Sequence, residues 1–153
     1  MKRNSVSGEY DILSEAVIKC QTIEQLLDLI TSHVNVMNNK HLSEVFDSIH
    51  GLLSLSNDYS EDSLKLLSSE QFSQLCNQTV KRIRFFQISE ILTTMKALIL
   101  LNVSPNTTIF QSLLQMTRQM INDFSINQII FLDLLLSKSV SERRQISEDF
   151  CMK

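Results

Sequence analysis

The chain has 153 residues, a formal net charge of −3, 43% hydrophobic residues, two glycines, one proline and no tryptophan. That is enough apolar matter for one domain with a real core, and too little turn punctuation for a sheet-rich fold, so helices joined by short polar connections are expected. The charge is uneven: residues 1–76 carry 5 basic and 11 acidic side chains and residues 77–138 carry 6 and 3, which makes the second half the better match for an anionic partner.

Residues 1–11 read as a flexible N-terminus. Ile12, Leu13, Ala16 and Val17 then open a helical stripe. Ile23, Leu26, Leu27 and Ile30 form a second stripe, with Thr22 placed to cap its start. Asn38-Asn39 breaks the chain, and Leu42, Val45, Phe46, Ile49, Leu52 and Leu53 follow on one face. Residues 55–63 are the longest polar stretch and predict a loop. Phe72, Leu75, Cys76, Val80 and Ile83 belong to one helix, and Ile88, Ile91, Leu92, Met95, Leu98 and Ile99 to the next. Pro105 predicts a turn over 102–106, because it cannot continue a helix and disfavours a helical Ser104. Ile109, Leu113, Leu114, Met116 and Met120 come next, then Ile126, Ile129, Ile130, Leu132, Leu134 and Leu136. Residues 138–153 form a polar tail, a candidate for disorder, so the helical domain spans 12–137.

Sliding the sequence by 38 residues brings like residues together. Phe72 falls on Phe110, Leu75 on Leu113, Thr79 on Thr117, Ile83 on Ile121, Phe86 on Phe124, Ile91 on Ile129 and Leu98 on Leu136. Met95 falls on Asp133, a mismatch. The segment Ile88–Leu92 also resembles Leu42–Phe46 upstream, at a longer spacing that the 55–63 loop absorbs. The expected fold is all-α: about six helices in antiparallel pairs, stacked as helix–turn–helix repeats of about 38 residues in the manner of an α-solenoid. Phe72, Leu75, Ile83, Ile91, Leu98, Phe110, Leu113, Ile121 and Ile129 are expected in the core.

Chemistry is sparse. His33, His41 and His50 offer no pair at the i, i+3 or i, i+4 spacing of helical metal ligands, so no metal is expected. No nucleophile elbow, glycine-rich phosphate loop or kinase signature is present. No enzyme activity and no cofactor are expected. Three scattered cysteines, Cys20, Cys76 and Cys151, argue against a disulfide framework. No apolar run approaches the ~20 residues of a membrane span. The best binding candidate is the basic cluster Lys81, Arg82 and Arg84, with Lys96 and Arg118 on the following helices. Cations on successive repeats suit a phosphate backbone, and Phe85, which lacks an aromatic match 38 residues on, is free to stack on a base. The plainer account of the cluster is a cation-rich helix end that complements the helix dipole.

The segment Gln71–Leu136 resembles the N-terminal helical region of the FAST kinase domain-containing proteins. Most of the likeness lies in Phe85–Asn106, with Ala97-Leu98-Ile99-Leu100-Leu101 and then Pro105 in a short turn, and it continues in Leu113-Leu114 of the next helix. Phe72-x-x-Leu75-Cys76 is similar to the entry of that region. The resemblance implies repeats like octotricopeptide repeats, which cradle single-stranded RNA. It also implies a mitochondrial location and a role in the processing, stability or translation of mitochondrial transcripts. Full-length members continue to a C-terminal nuclease-like domain with an acidic site. Nothing of that domain is in this sequence, so the expectation is a fragment or truncated form, with Lys81, Arg82, Arg84, Phe85, Lys96 and Arg118 as RNA contacts. The alternative expectation is a helical protein-interaction scaffold.

Overall fold

A computed structural model describes residues 11–151, with side chains to Lys138. The described residues are all helical apart from turns, and they form eight packed α-helices. These are α1 (Ile12–Lys19), α2 (Ile23–His33), α3 (Asn39–Ser54), α4 (Tyr59–Leu67), α5 (Glu70–Arg82), α6 (Ile88–Leu100), α7 (Thr108–Met120) and α8 (Ile126–Cys151). The expected N-terminal arm lies outside the described residues up to Tyr10. The polar tail continues α8 to Cys151.

Eight helices rather than six follow largely from 55–63, where a loop was expected. Asp58 accepts the Glu61 amide at 3.1 Å and starts α4 at Tyr59. Ser63 and Leu66 are its buried face. A nine-residue helix with two buried positions shows little periodicity, so composition misleads. The 102–106 turn is where Pro105 puts it. Asn102 has φ 59°, and the Asn102 and Val103 amides reach back to the Ile99 and Leu98 carbonyls at 3.0 Å, which closes the end of α6.

The helices lie in two layers. One runs α1, α3, α6, α8, each packed on the next, and the other runs α2, α5, α7. The short α4 bridges α2, α3 and α5, and its Tyr59 hydroxyl donates to the Leu100 carbonyl at the end of α6. Leu26, Ile30, Leu42, Phe46, Ile49, Leu75, Ile91, Met95 and Leu98 are fully buried between the layers. Phe46 of α3 meets Phe72 of α5 edge-on, with ring centroids 6.4 Å apart.

Three turns join one layer to the other by the same backbone course. Short 3-10 turns at Val34–Val36, Ile83–Phe85 and Ile121–Asp123 are each followed by an extended, buried residue: Met37 (φ −73°, ψ 135°), Phe86 (−69°, 136°) and Phe124 (−72°, 137°). The next residue's amide is then held by the side chain three places on. Asn38 donates to His41 Nδ1 at 3.2 Å, Gln87 to Glu90 Oε1 at 2.9 Å and Ser125 to Gln128 Oε1 at 2.9 Å. Thr79 and Thr117 are both buried and both donate to the carbonyl four residues back, at 2.8 Å. The last two turns are 38 residues apart and the first two 49, the longer interval containing α4. This turn spacing corrects the upstream match: Leu42 corresponds to Ile91, both fully buried, rather than to Ile88.

Two expected core positions are not covered. Ile121 is 39% exposed and Ile129 42%, and Ile83 is half-buried. The others, Phe72, Leu75, Ile91, Leu98, Phe110 and Leu113, are buried.

Candidate functional site

The basic cluster forms where α5 ends. Lys81 and Arg82 occupy the last turn of α5, where cations complement the carbonyl end of the helix, and Arg84 and Phe85 lie in the turn that follows. All four side chains are exposed. The Arg84 guanidinium lies 4.9 Å from the Phe85 ring centroid, while Phe86 next to it turns into the core. Arg118 is exposed in the last turn of α7, and α7 packs against the 83–85 turn. None of these four cations has an ion-pair partner among the described residues.

Lys96 belongs to different surroundings. It is half-buried near the middle of α6, and its charge is felt by His50 of α3 together with that of Lys138 on α8. Burial of the His50 ring, with Lys96 next in size and Lys138 lesser, lowers its pKa against the opposing pull of Asp47. The six sequence-derived positions thus fall into two sets: Lys81, Arg82, Arg84 and Phe85 with Arg118 beside their turn, and Lys96, whose charge acts on His50 of another helix. That pairing could not be read from the sequence, because tertiary packing brings α3 and α6 together.

His41 is held from both sides. Its Nδ1 accepts the Asn38 amide, and its Nε2 lies 2.7 Å from the Asp11 carboxylate. That pattern makes Nε2 the protonated nitrogen and leaves neither nitrogen open to a substrate. Asp11 is held below the usual carboxylate range, first by the Ser14 amide and then by His41. Cys76 is half-buried, and burial pushes its thiol up to about 12, far from a reactive thiolate at neutral pH. It lines an open groove of about 430 Å³ with Phe72, Val80 and Ile109. A second groove of about 440 Å³ near the start of α2 has Glu24, Asp58 and Asp62 at its walls. Among the described residues no group of His, Cys, Asp and Glu is arranged to hold a metal ion, and no helix is long and apolar enough to cross a membrane.

An exposed apolar strip lies on α8. Ile126, Ile129, Ile130 and Leu134 are 77%, 42%, 52% and 63% exposed. At ~100° per residue these four lie on one face of the helix, opposite the buried Leu132 and Leu135 that fix α8 to the body. All four stand on the apolar stripe visible in the sequence, where nothing marks the stripe as open.

No family model, curated protein or solved structure matches this chain.

Proposed function

We propose that the chain is a non-catalytic helical-repeat module whose main role is to bind other macromolecules as a protein-interaction scaffold. The unit is the helix–turn–helix pair of about 38 residues, α5–α6 and α7–α8, preceded by α2–α3 with α4 inserted. The common turn course, the reciprocal helix starts and the paired Thr79 and Thr117 hydroxyls support this solenoid-like reading.

The observation that carries the scaffold reading is the open face of α8. Positions that are buried in α6 are exposed in α8: Ile91 is fully buried and Ile129 42% exposed, Leu92 is 6% and Ile130 52% exposed. An array that ends on an apolar helix face offers a docking surface to another protein. The test is an affinity capture from cell extract by the folded chain, beside an Ile126/Ile130/Leu134→Gln variant and a Lys81/Arg82/Arg84→Ala variant. Protein partners lost with the first variant and kept with the second support the scaffold. Partners kept by both overturn α8 as the docking face.

One observation favours a second reading. Lys81, Arg82, Arg84 and exposed Phe85, with Arg118 on the helix packed beside their turn, combine cations that lack an ion-pair partner among the described residues with an exposed ring, the elements of weak single-stranded RNA binding. The resemblance to FAST kinase domain-containing proteins, with its mitochondrial transcripts, belongs to this reading. It ranks second because Lys96 stands apart from the cluster, and because the acidic first half repels RNA at long range. Fluorescence anisotropy with a short single-stranded RNA at low and near-physiological salt tests it. Binding that weakens with salt and with the Lys81/Arg82/Arg84→Ala variant supports it, and equal binding by wild type and variant removes those residues from the site.

A further inference from the structure

We propose that two copies of this chain associate through α8, packed antiparallel about a twofold axis near Ile130. The inference rests on the scaffold reading and names the partner of that face. Four observations lead to it.

The first is what covers the same positions elsewhere. Ile91 and Leu92 of α6 correspond to Ile129 and Ile130 of α8 and are buried within the packed layers of this same chain. A face with this pattern is suited to another helix of the same kind.

The second excludes simple continuation of the stack. Asp133 occupies the place of Met95 in α6 and Phe46 in α3, both fully buried. Phe46 meets the ring of Phe72 on the succeeding helix pair. A further pair added in the same way would press an apolar side chain onto the Asp133 carboxylate, which costs several kcal/mol unless the charge is partnered. An α8–α8 contact centred on Ile130 avoids this. Asp133 lies about 60° round the helix from Ile130, on the side of Ile129, so a contact that runs along Ile126, Ile130 and Leu134 leaves both Ile129 and Asp133 at its wetted flank.

The third is self-complementarity. Ile126, Ile130 and Leu134 follow one another at four-residue intervals. In an antiparallel pair with its twofold axis at Ile130, Ile126 of one copy meets Leu134 of its partner, and Ile130 meets its own counterpart. This is the isologous contact that a closed dimer requires.

The fourth is area. The exposed Ile126, Ile130 and Leu134 side chains leave roughly 350 Å² per copy in water. Two copies with the exposed rim residues Asn127, Asp133 and Ser137 therefore bury about 1,000 Å², the lower bound of a specific interface. Among the described residues the opposite end of the layer offers no such strip. Ile12 and Ile18 of α1 are exposed, but they are six residues apart and point to different sides.

Sedimentation equilibrium of the full chain from about 1 to about 200 µM tests the proposal. The mass of wild type is expected to rise from 17.6 kDa toward twice that value. Ile130→Asp is expected to remain monomeric with an unchanged far-ultraviolet helical spectrum. Ile18→Asp is expected to match wild type. Under mild oxidation Ile130→Cys should cross-link well above the background from the native cysteines. Ile126→Cys should not, since two copies of residue 126 lie about 12 Å apart along an antiparallel pair, beyond the reach of a disulfide. A monomeric wild type, a dimeric Ile130→Asp, or equal cross-linking at 126 and 130 would overturn the antiparallel dimer. Loss of the dimer in Ile18→Asp would point instead to head-to-tail assembly and would also overturn it. A monomeric wild type whose captured protein partners still depend on α8 would sink the dimer alone; if those partners were also indifferent to α8, the scaffold reading would fall with it.

Discussion

Helix α6 is packed between α3 and α8, while α8 packs on α6 and leaves its far side in water. Their apolar patterns are nearly the same, with Ile88, Ile91 and Leu92 in one and Ile126, Ile129 and Ile130 in the other. What differs is the neighbour. Periodicity says which face of a helix is apolar; whether that face is core depends on whether another element arrives to cover it. At the other end of the layer, α1 shows a different solution. It is short, its exposed apolar residues are isolated, and polar bonds fasten it to α3: Ser14 donates to Glu44 at 2.5 Å, and Asp11 meets His41. Among the described residues α1 is fastened to the layer by hydrogen bonds, whereas α8 carries an open apolar strip.

The strongest way to break the comparison is to exchange the one mismatched pair. Met95→Asp should destabilise the fold by more than ~4 kcal/mol, because the carboxylate enters a fully buried site without a partner. Asp133→Met should change stability by less than ~0.5 kcal/mol and should strengthen self-association. Urea unfolding with circular dichroism measures both. If the two substitutions cost the same, α8 is covered in solution and the contrast between the helices fails.

A graded version uses like positions. Ile91→Ala should cost ~2–5 kcal/mol, as should Leu113→Ala, since both side chains are fully buried. Ile129→Ala should cost under ~1 kcal/mol for the monomer, because nearly half of that side chain is already in water. Chemical denaturation at low protein concentration separates them. A cost at Ile129 equal to that at Ile91 would show that the position is packed.

Much of this architecture could be read from the sequence, and the failures have physical causes. The 38-residue offset matched Phe72 with Phe110, Thr79 with Thr117 and Phe86 with Phe124, and all six are buried. Large or hydroxyl-bearing residues at fixed offsets mark sites where one geometry is needed twice. The same offset assigned Ile121 and Ile129 to the core, and there it failed, because among the described residues no element covers those positions. The α4 helix was hidden by Ser, Asp and Tyr, residues favoured in loops that here serve a cap, a buried hydroxyl and a bond to α6. The split of the basic residues was equally illegible. Lys96 follows Arg84 by 12 positions, yet its charge acts on His50 of another helix, because α3 and α6 pack together.

The smallest effect sharpens the contrast between the two ends. Asp11 caps α1 by accepting the Leu13 and Ser14 amides at 3.1 Å, and its other oxygen faces His41. Its folded pKa lies below the ordinary aspartate value, with the Ser14 bond the first cause and His41 the second. A depressed carboxylate pKa contributes stability that is present above the unfolded value and lost as pH falls through the folded one. The anchoring of α1 should therefore be intact near neutral pH and weaken below about pH 4, with the Leu13 and Ser14 amides losing protection before those of α3. Asp11→Asn keeps a capping oxygen but removes the charge, so it should flatten this acid dependence at a cost of about 1 kcal/mol or less in α1. Amide exchange followed by NMR between about pH 3 and pH 6 measures it. Equal acid sensitivity in wild type and Asp11→Asn would mean that another carboxylate, such as Glu44 bonded to Ser14, holds the helix in place. Loss of protection in α8 at the same pH would mean that the two ends of the layer open together, and the division between a hydrogen-bonded end and an apolar one would not survive.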